Sequence, residues 1–358
     1  MENKKSKKVV IITVVVAVAV IAVIALLFAL QPWKNSASDN TSDISSVDPE
    51  TSLQEDEKIT PTPVDFYGEM MVKDGVITGS NTGEKMRVTG MSFFWSNWSQ
   101  KYYTKDYVDL MVDDFNCEIV RCSYGVQDSG VPYDEGCVPL IEDVVKQAVE
   151  RGVYVILDWH SHGAHKNPDE AIEFFTDMAK KYGQYDNVVF EIFNEPMNTS
   201  WKQVKTYAEL VIPEIRKHSD NLILVGTPNW SQDVLSAAKL PVEGDNIAYT
   251  LHFYAGTHKK WLRDNADKAM QQGIALFVSE WGSVNADGNG GINKASTEEW
   301  MEWIDENQLS SCNWAINDKD EGSSIYVSDS EISETGKYIR ELIKARTLIA
   351  PWRETKSE

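Results

Sequence analysis

Residues 138–159, VPLIEDVVKQAVERGVYVILDW, carry the decisive pattern. Val138, Ile141, Val144, Val145 and Val149 recur at helical period and mark one apolar face, so 138–151 reads as an amphipathic helix. Val153–Trp159 follows as a short Val/Ile-rich run that is apolar on both parities, as in a parallel strand covered on both faces. The same alternation extends in both directions. Strands are predicted at Met86–Phe94, Cys117–Ser123, Val153–Trp159, Val188–Ile192, Leu222–Val225, Ile247–Phe253, Ala275–Ser279 and Ser311–Ile316. Helices are predicted at Lys105–Phe115, Val138–Arg151, Pro168–Tyr182, Trp201–Lys217, Trp261–Gly273, Thr297–Asn307 and Ser333–Arg346. Eight β-then-α units in about 260 residues predict an α/β protein with a closed (β/α)8 TIM barrel. A doubly wound open sheet is the alternative, but no G-x-G-x-x-G follows the first strand. Phe66–Lys85, with Gly75 and Gly83 at turns, is read as a short β-hairpin plugging the N-terminal end of the barrel.

The 358-residue chain is 42% hydrophobic and 25% charged, which is ordinary globular composition. Its net charge of −21 repels nucleic acid and anionic lipid, so neither is expected as a partner of the folded body. Lys residues crowd Met1–Lys8, and Val9–Leu30 follows as 22 uncharged residues. As a helix that run measures about 33 Å, enough for a bilayer core of about 30 Å. It is read as an uncleaved signal anchor, with a cleaved signal peptide as the alternative. Either places the rest of the chain outside the cytoplasm, secreted or membrane-anchored. Residues 31–64, rich in Ser, Thr, Asp, Glu and Pro, read as a disordered acidic linker. The folded barrel domain is placed at 65–346 and a C-terminal tail at 347–358. Cys117, Cys122, Cys137 and Cys312 show no zinc spacing and are read as buried thiols. A monomer without cofactor or metal is expected.

In such barrels the chemistry gathers at the C-terminal ends of the strands. Those ends read Phe94-Trp95-Ser96-Asn97-Trp98, Arg121, Asp158-Trp159-His160-Ser161-His162, Asn194-Glu195-Pro196, Asn229-Trp230, His252-Phe253-Tyr254, Ser279-Glu280-Trp281 and Trp314 through Lys319 and Glu321. Six of the 12 Trp lie there, where core filling alone would spread them; flat aromatic faces at a cleft mouth suit sugar rings. Glu195 and Glu280 each follow a strongly apolar run. Cleavage of a glycosidic bond needs two carboxylates, one to protonate the leaving oxygen and one opposite. Burial is expected to keep the first protonated, while the second needs a cation nearby, for which Arg121 is placed. Singly, each residue has a plainer structural role: a turn at Asn194-Glu195-Pro196, a salt bridge at Glu280 or Arg121, hydrogen-bond filling at His252 and Tyr254, packing at Trp95, Trp98, Trp230 and Trp314. All of those would have to coincide at one end of one barrel.

Taken in order, Gly90-Met91-Ser92, Ile119-Val120-Arg121, Asp158-Trp159-His160, Glu191-Ile192-Phe193-Asn194-Glu195-Pro196, Leu251-His252-Phe253-Tyr254 through His258, Ser279-Glu280-Trp281-Gly282 and Asn313-Trp314-Ala315-Ile316 give a chain that resembles glycoside hydrolase family 5, and within it the bacterial endo-β-1,4-glucanases, over about Val64 to Arg346. The resemblance implies retaining double displacement on a β-glucan, with Glu195 as acid/base and Glu280 as nucleophile. It implies that Asn194 bonds the sugar 2-hydroxyl, and that Arg121 and Tyr254 aim Glu280. His160 and His252 would orient the sugar and the carboxylates. Trp314 would form a sugar platform, Lys319 and Glu321 would grip the next glucose, and Trp95, Trp98 and Trp230 would line outer subsites. β-Mannan, xyloglucan and mixed-linkage glucan stay open as substrates. Two rivals are a non-catalytic sugar-binding barrel and a metal-dependent amidohydrolase, the latter suggested by His160-Ser161-His162. That H-x-H follows the third strand, whereas amidohydrolases place it on the first.

Overall fold

The structure, a computed structural model, describes residues 61–126, 135–329 and 331–354. The apolar run Val9–Leu30 and the linker up to residue 60 lie outside the described residues. Among the described residues no helix is long and apolar enough to cross a membrane.

A hairpin of β1 (Met70–Lys73) and β2 (Val76–Gly79) precedes eight parallel strands. These are β3 (Thr89–Phe93), β4 (Ile119–Gly125), β5 (Tyr154–His160), β6 (Val188–Glu191), β7 (Ile223–Val225), β8 (Ile247–Tyr254), β9 (Leu276–Gly282) and β10 (Ser311–Ile316). They close as a barrel in sequence order, with β10 pairing β3. All eight strands read from the sequence are therefore present, and the (β/α)8 barrel is the fold. Each predicted helix is also present, within a few residues of its expected bounds. Val138–Glu150 buries Ile141, Val144 and Val145, the face that its spacing marks. The sequence reading misses the segment after β7, where a turn at Pro228–Ser231 precedes a short helix, Val234–Lys239. Asn229, Trp230 and Ser231 are all left-handed there, with φ of 61°, 56° and 54°, so no helical period exists to be read.

Alternate strand residues divide between two apolar clusters. Val120, Cys122, Val155, Leu157, Val188 and Phe190 face the helices. Ile119, Tyr154, Ile156, Val189, Leu224, Ala248 and Phe277 fill the lower barrel interior. The same inward parity continues upward as Arg121 and Ser123 on β4, Asp158 and His160 on β5, Glu191 on β6, and Thr250, His252 and Tyr254 on β8. The barrel is thus apolar below and polar above.

Met70 and Ile77 of the hairpin pack into the lower cluster. Asn246 ties the hairpin down: its Oδ1 accepts from Val72 N at 2.8 Å and its Nδ2 donates to Met70 O at 3.0 Å. A last helix, Pro351–Glu354, brings Trp352 into the same cluster, where its Nε1 donates to Glu118 Oε1 at 2.5 Å. All four cysteines are buried and none is in a disulfide.

Candidate active site

Arg121, fully buried in the upper barrel, organises the site. Its Nε donates to Glu191 Oε2 at 2.7 Å, its Nη1 to Glu280 Oε2 at 3.1 Å, and its Nη2 to Asn194 Oδ1 at 2.7 Å. Nη2 also lies 2.9 Å from Asp158 Oδ2. One cation thus serves three carboxylates, and not all three are held equally. Burial opposes the charge on Glu191, but Arg121 and His252 outweigh it and hold the carboxyl at about 2. Burial pushes Asp158 well above the usual carboxylate range against the pull of Arg121.

Glu280 ends β9 by way of a register shift. Thr250 pairs with Phe277, but His252 pairs with Glu280, one residue out of step. Consecutive residues Ser279 and Glu280 consequently both reach the interior. Tyr254 Oη donates to Glu280 Oε1 at 2.8 Å, so each carboxylate oxygen has a donor. Burial and the charge of Glu195 raise Glu280 from its ordinary value, while His252, Arg121 and Tyr254 oppose that shift. Neither donor releases its proton near neutral pH, so both contacts draw on an ionised carboxylate.

Glu195 lies where the chain leaves β6. His252 Nδ1 is 3.0 Å from its Oε1 and His162 Nε2 is 3.4 Å from its Oε2. Burial would raise this carboxyl, as the sequence reading expects, but the two histidines more than offset it and hold it at about 2. His252 is correspondingly pushed up to about 9: burial lowers it, and Glu280, Glu191 and Glu195 outweigh burial. The two shifts run in opposite directions, down for Glu195 and up for His252, where burial alone would raise the carboxyl.

One oxygen each of Glu195 and Glu280, with a ring nitrogen of His252, lie within 4.8 Å of one another. Among the described residues this is the one cluster with the donors and spacing to hold a cation. Both nitrogens of His252 are already engaged, Nδ1 by Glu195 and Nε2 by Ser279 Oγ at 3.0 Å.

A cleft opens on both sides of this pair. On one side a cavity of about 450 Å³ is lined by Trp230, Asn229, Gln232, His258 and Asp287 together with the two glutamates. Trp230 stands 43% exposed at its edge, carried by the left-handed turn. Ser231 Oγ pins that turn by donating to Asn194 O at 2.6 Å. On the other side a cavity of about 220 Å³ is lined by Trp95, Trp98, His160, Asn194, Trp314, Lys319 and Glu321. Trp314 stacks on His160 with ring centres 5.1 Å apart, and Trp95 meets the same imidazole edge-on at 4.1 Å. Burial and the charge of Arg121 push His160 well down, so it is a neutral ring, with Nδ1 2.6 Å from Asp158 Oδ2. Lys319 and Glu321 pair with each other at 2.5 Å on the rim.

The fold thus brings all thirteen sequence-read site residues to one end of the barrel. It adds four that the sequence reading leaves without a role: His162 on Glu195, and Asp158, Glu191 and Ser279 beneath the glutamates. Inward parity with Arg121 is the signal for Asp158 and Glu191, since one buried guanidinium at the centre of a barrel attracts carboxylates from several strands. Ser279 carries the same signal, since it continues the inward parity of Ala275 and Phe277, whereas Glu280 reaches the interior only through the register shift.

A parallel eight-stranded barrel with two close carboxylates in an aromatic-lined cleft at its strand ends has the layout of a glycoside hydrolase. The chain belongs to the cellulase family, glycosyl hydrolase family 5, whose model matches residues 80–320. It is 49% identical over 272 residues to endoglucanase Z of Dickeya dadantii, covering 74% of this chain and 64% of that protein. It is 36% identical over 285 residues to endoglucanase A of Evansella cellulosilytica, covering 75% of this chain and 58% of that protein. The chain thus spans less than two thirds of the length of these relatives. Among solved structures, one from Cytophaga hutchinsonii superposes with a TM-score of 0.77 at 42% identity, covering 80% of this chain and 97% of that one. A variant of the catalytic domain of Thermobifida fusca endoglucanase Cel5A, in complex with cellotetraose, gives 0.74 at 28% identity, covering 79% and 99%.

Proposed function

We propose that this protein is a retaining endo-β-1,4-glucanase. The observation that carries the reading is the pair Glu195 and Glu280, with oxygens within 4.8 Å in a cleft open on both sides. Retaining glycosidases hold their carboxyl groups about 5–5.5 Å apart, whereas inverting ones leave about 6.5–9.5 Å for a water. Relatives named endoglucanase and a neighbour that binds cellotetraose favour a β-1,4-glucan.

In this reading Glu280, aimed by Arg121 and Tyr254, attacks the anomeric carbon. The bond to the leaving oxygen breaks as that oxygen takes from Glu195 the one proton it shares with His252 Nδ1, which leaves Glu195 ionised and His252 neutral. Water then gives its proton to Glu195, attacks the same carbon and frees Glu280. Arg121 fixes the Asn194 amide by its Oδ1, which leaves Nδ2 as a donor for the 2-hydroxyl. Trp314, Trp95 and Trp98 stack sugars on one side, with Lys319 and Glu321 at the rim, and Trp230 stacks the leaving portion on the other. The Lys-rich stub and Val9–Leu30 act as a signal anchor or signal peptide that delivers a monomeric domain outside the cytoplasm.

The test is a reducing-sugar assay over cellulose, mixed-linkage glucan, xyloglucan and mannan, with the first-formed anomer followed by proton NMR. The β anomer is expected first, from β-1,4-glucans. The α anomer would overturn the mechanism, and activity confined to mannan would overturn the substrate.

A further inference from the structure

Beneath the two glutamates a hydrogen-bond chain continues past His252 to Ser279 and Glu191, two residues to which the double displacement gives no role. Glu191, fully buried, takes Arg121 Nε on Oε2 and Ser279 Oγ on Oε1 at 2.6 Å. With its only proton committed to Glu191, Ser279 Oγ accepts from His252 Nε2, 3.0 Å away. His252 Nδ1 in turn faces Glu195 Oε1 at 3.0 Å. Nε2 is therefore a donor, and Nδ1 and Glu195 Oε1 share the next proton along the chain Glu191–Ser279–His252–Glu195. Glu191 itself lies 3.8 Å from Nε2, beyond hydrogen-bond reach, so the serine hydroxyl is the link.

We propose that Glu191 and Ser279 are positioning residues that hold His252 as an imidazolium against Glu195 and so set the alkaline limit of turnover. This rests on Glu195 being the acid of the proposed reaction. The Glu195–His252 pair carries one proton. Once that proton is lost at high pH, neither residue can supply the leaving oxygen. The other charged or titratable groups around the pair are His162 just past β5 on Glu195, Glu280 on β9 with Tyr254 of β8 on it, Asp158 and His160 on β5 and His258 beyond β8, with Arg121 behind Glu191. All of these remain when Ser279 is changed. Without the hydroxyl, Nε2–H of a buried ring has no acceptor, which disfavours the charged form. The carboxylates Glu280, Glu191 and Glu195 raise His252 against burial, and the hydroxyl gives Nε2–H its acceptor within that field.

The test is Ser279→Ala, read in two ways. The alkaline limb of kcat/KM on a cello-oligosaccharide is expected to move down by about one pH unit, with KM changed less than about twofold because Ser279 does not line the cleft. The imidazole of His252, followed by NMR in labelled protein without substrate, is expected to titrate lower by the same amount. An unchanged limb and an unchanged titration overturn the proposal, even if kcat falls uniformly. Should Ser279→Ala fail to fold, the wild-type titration decides. An imidazolium that persists above about pH 8 supports the chain, and a ring that titrates at its ordinary value of 6.5 overturns it. This titration needs no turnover, so its failure is separate from that of the roles given to Glu195 and Glu280, which the product anomer decides.

Discussion

Glu195 and Glu280 are both buried glutamates, yet their surroundings differ in kind. Imidazoles, which can give and regain a proton, face Glu195. A guanidinium and a phenol, which hold theirs, face Glu280. The first setting suits a group that changes protonation twice per cycle, and the second suits one that stays charged until it forms a bond. Glu195→Ala should therefore slow hydrolysis of cello-oligosaccharides by about 10²–10⁴-fold but barely slow glycosylation by a dinitrophenyl cellobioside, whose leaving group needs no proton. Glu280→Gln should abolish turnover of both. Steady-state and burst kinetics on the two substrates check this, and equal losses in Glu195→Ala would remove its assignment as acid. At this scale the two glutamates, Asn194 and the cleft tryptophans are legible in the sequence, because each ends a strand. The electrostatics are not, because the histidines that face Glu195 come from elsewhere in the chain, His252 on β8 and His162 just past β5.

Elements place these side chains, and two local departures from regularity matter most. The register shift in β9 turns Ser279 and Glu280 inward together, which an uninterrupted strand forbids. The left-handed turn at Asn229–Ser231 points an exposed indole at the cleft while Ser231 anchors it to Asn194. Neither leaves a mark in an apolar pattern. Below the barrel, Asn246 is itself left-handed at φ 53°, and its amide joins β1 to the barrel by three hydrogen bonds, to Val72, Met70 and Asp220. Asn246→Ala should cost about 2–4 kcal/mol, since it orphans those partners and removes the polar side chain that lets Asn adopt the left-handed region more readily than Ala. Urea unfolding measures this. Asn246→Gly should lose less, because it keeps the backbone conformation, and an equal loss would remove strain from the account.

As a whole the molecule separates a polar upper interior that does chemistry from a lower end that is sealed. Glu118 sits in that seal, fully buried, with Thr89 N at 3.0 Å on Oε2 and the Trp352 indole on Oε1. Burial pushes its carboxyl up to about 7 against the pull of Trp352 and Thr89. A folded value above the unfolded one means that the protonated form favours folding. That contribution is complete below about 4.5 and is lost as pH rises through about 7. Trp352→Phe keeps most of the ring and removes one donor to the charged form. It should cost about 1–3 kcal/mol, and more at pH 8 than at pH 5. Calorimetry at the two pH values checks this, and an equal loss at both would mean that only packing was removed.

The sequence by itself determined the barrel and the two carboxylates at its mouth. Hydrophobic period, strand spacing and strand-end residues are properties of neighbours along the chain, and eight repeats of one unit leave few ways to close. The tertiary structure decided the electrostatics. It set which carboxylates share Arg121, which imidazoles face Glu195, and what closes the lower end. Those outcomes depend on distances of 2.5–3.8 Å between residues as far as 234 positions apart. Coulomb and hydrogen-bond energies change over fractions of such distances, so only the folded chain fixes them.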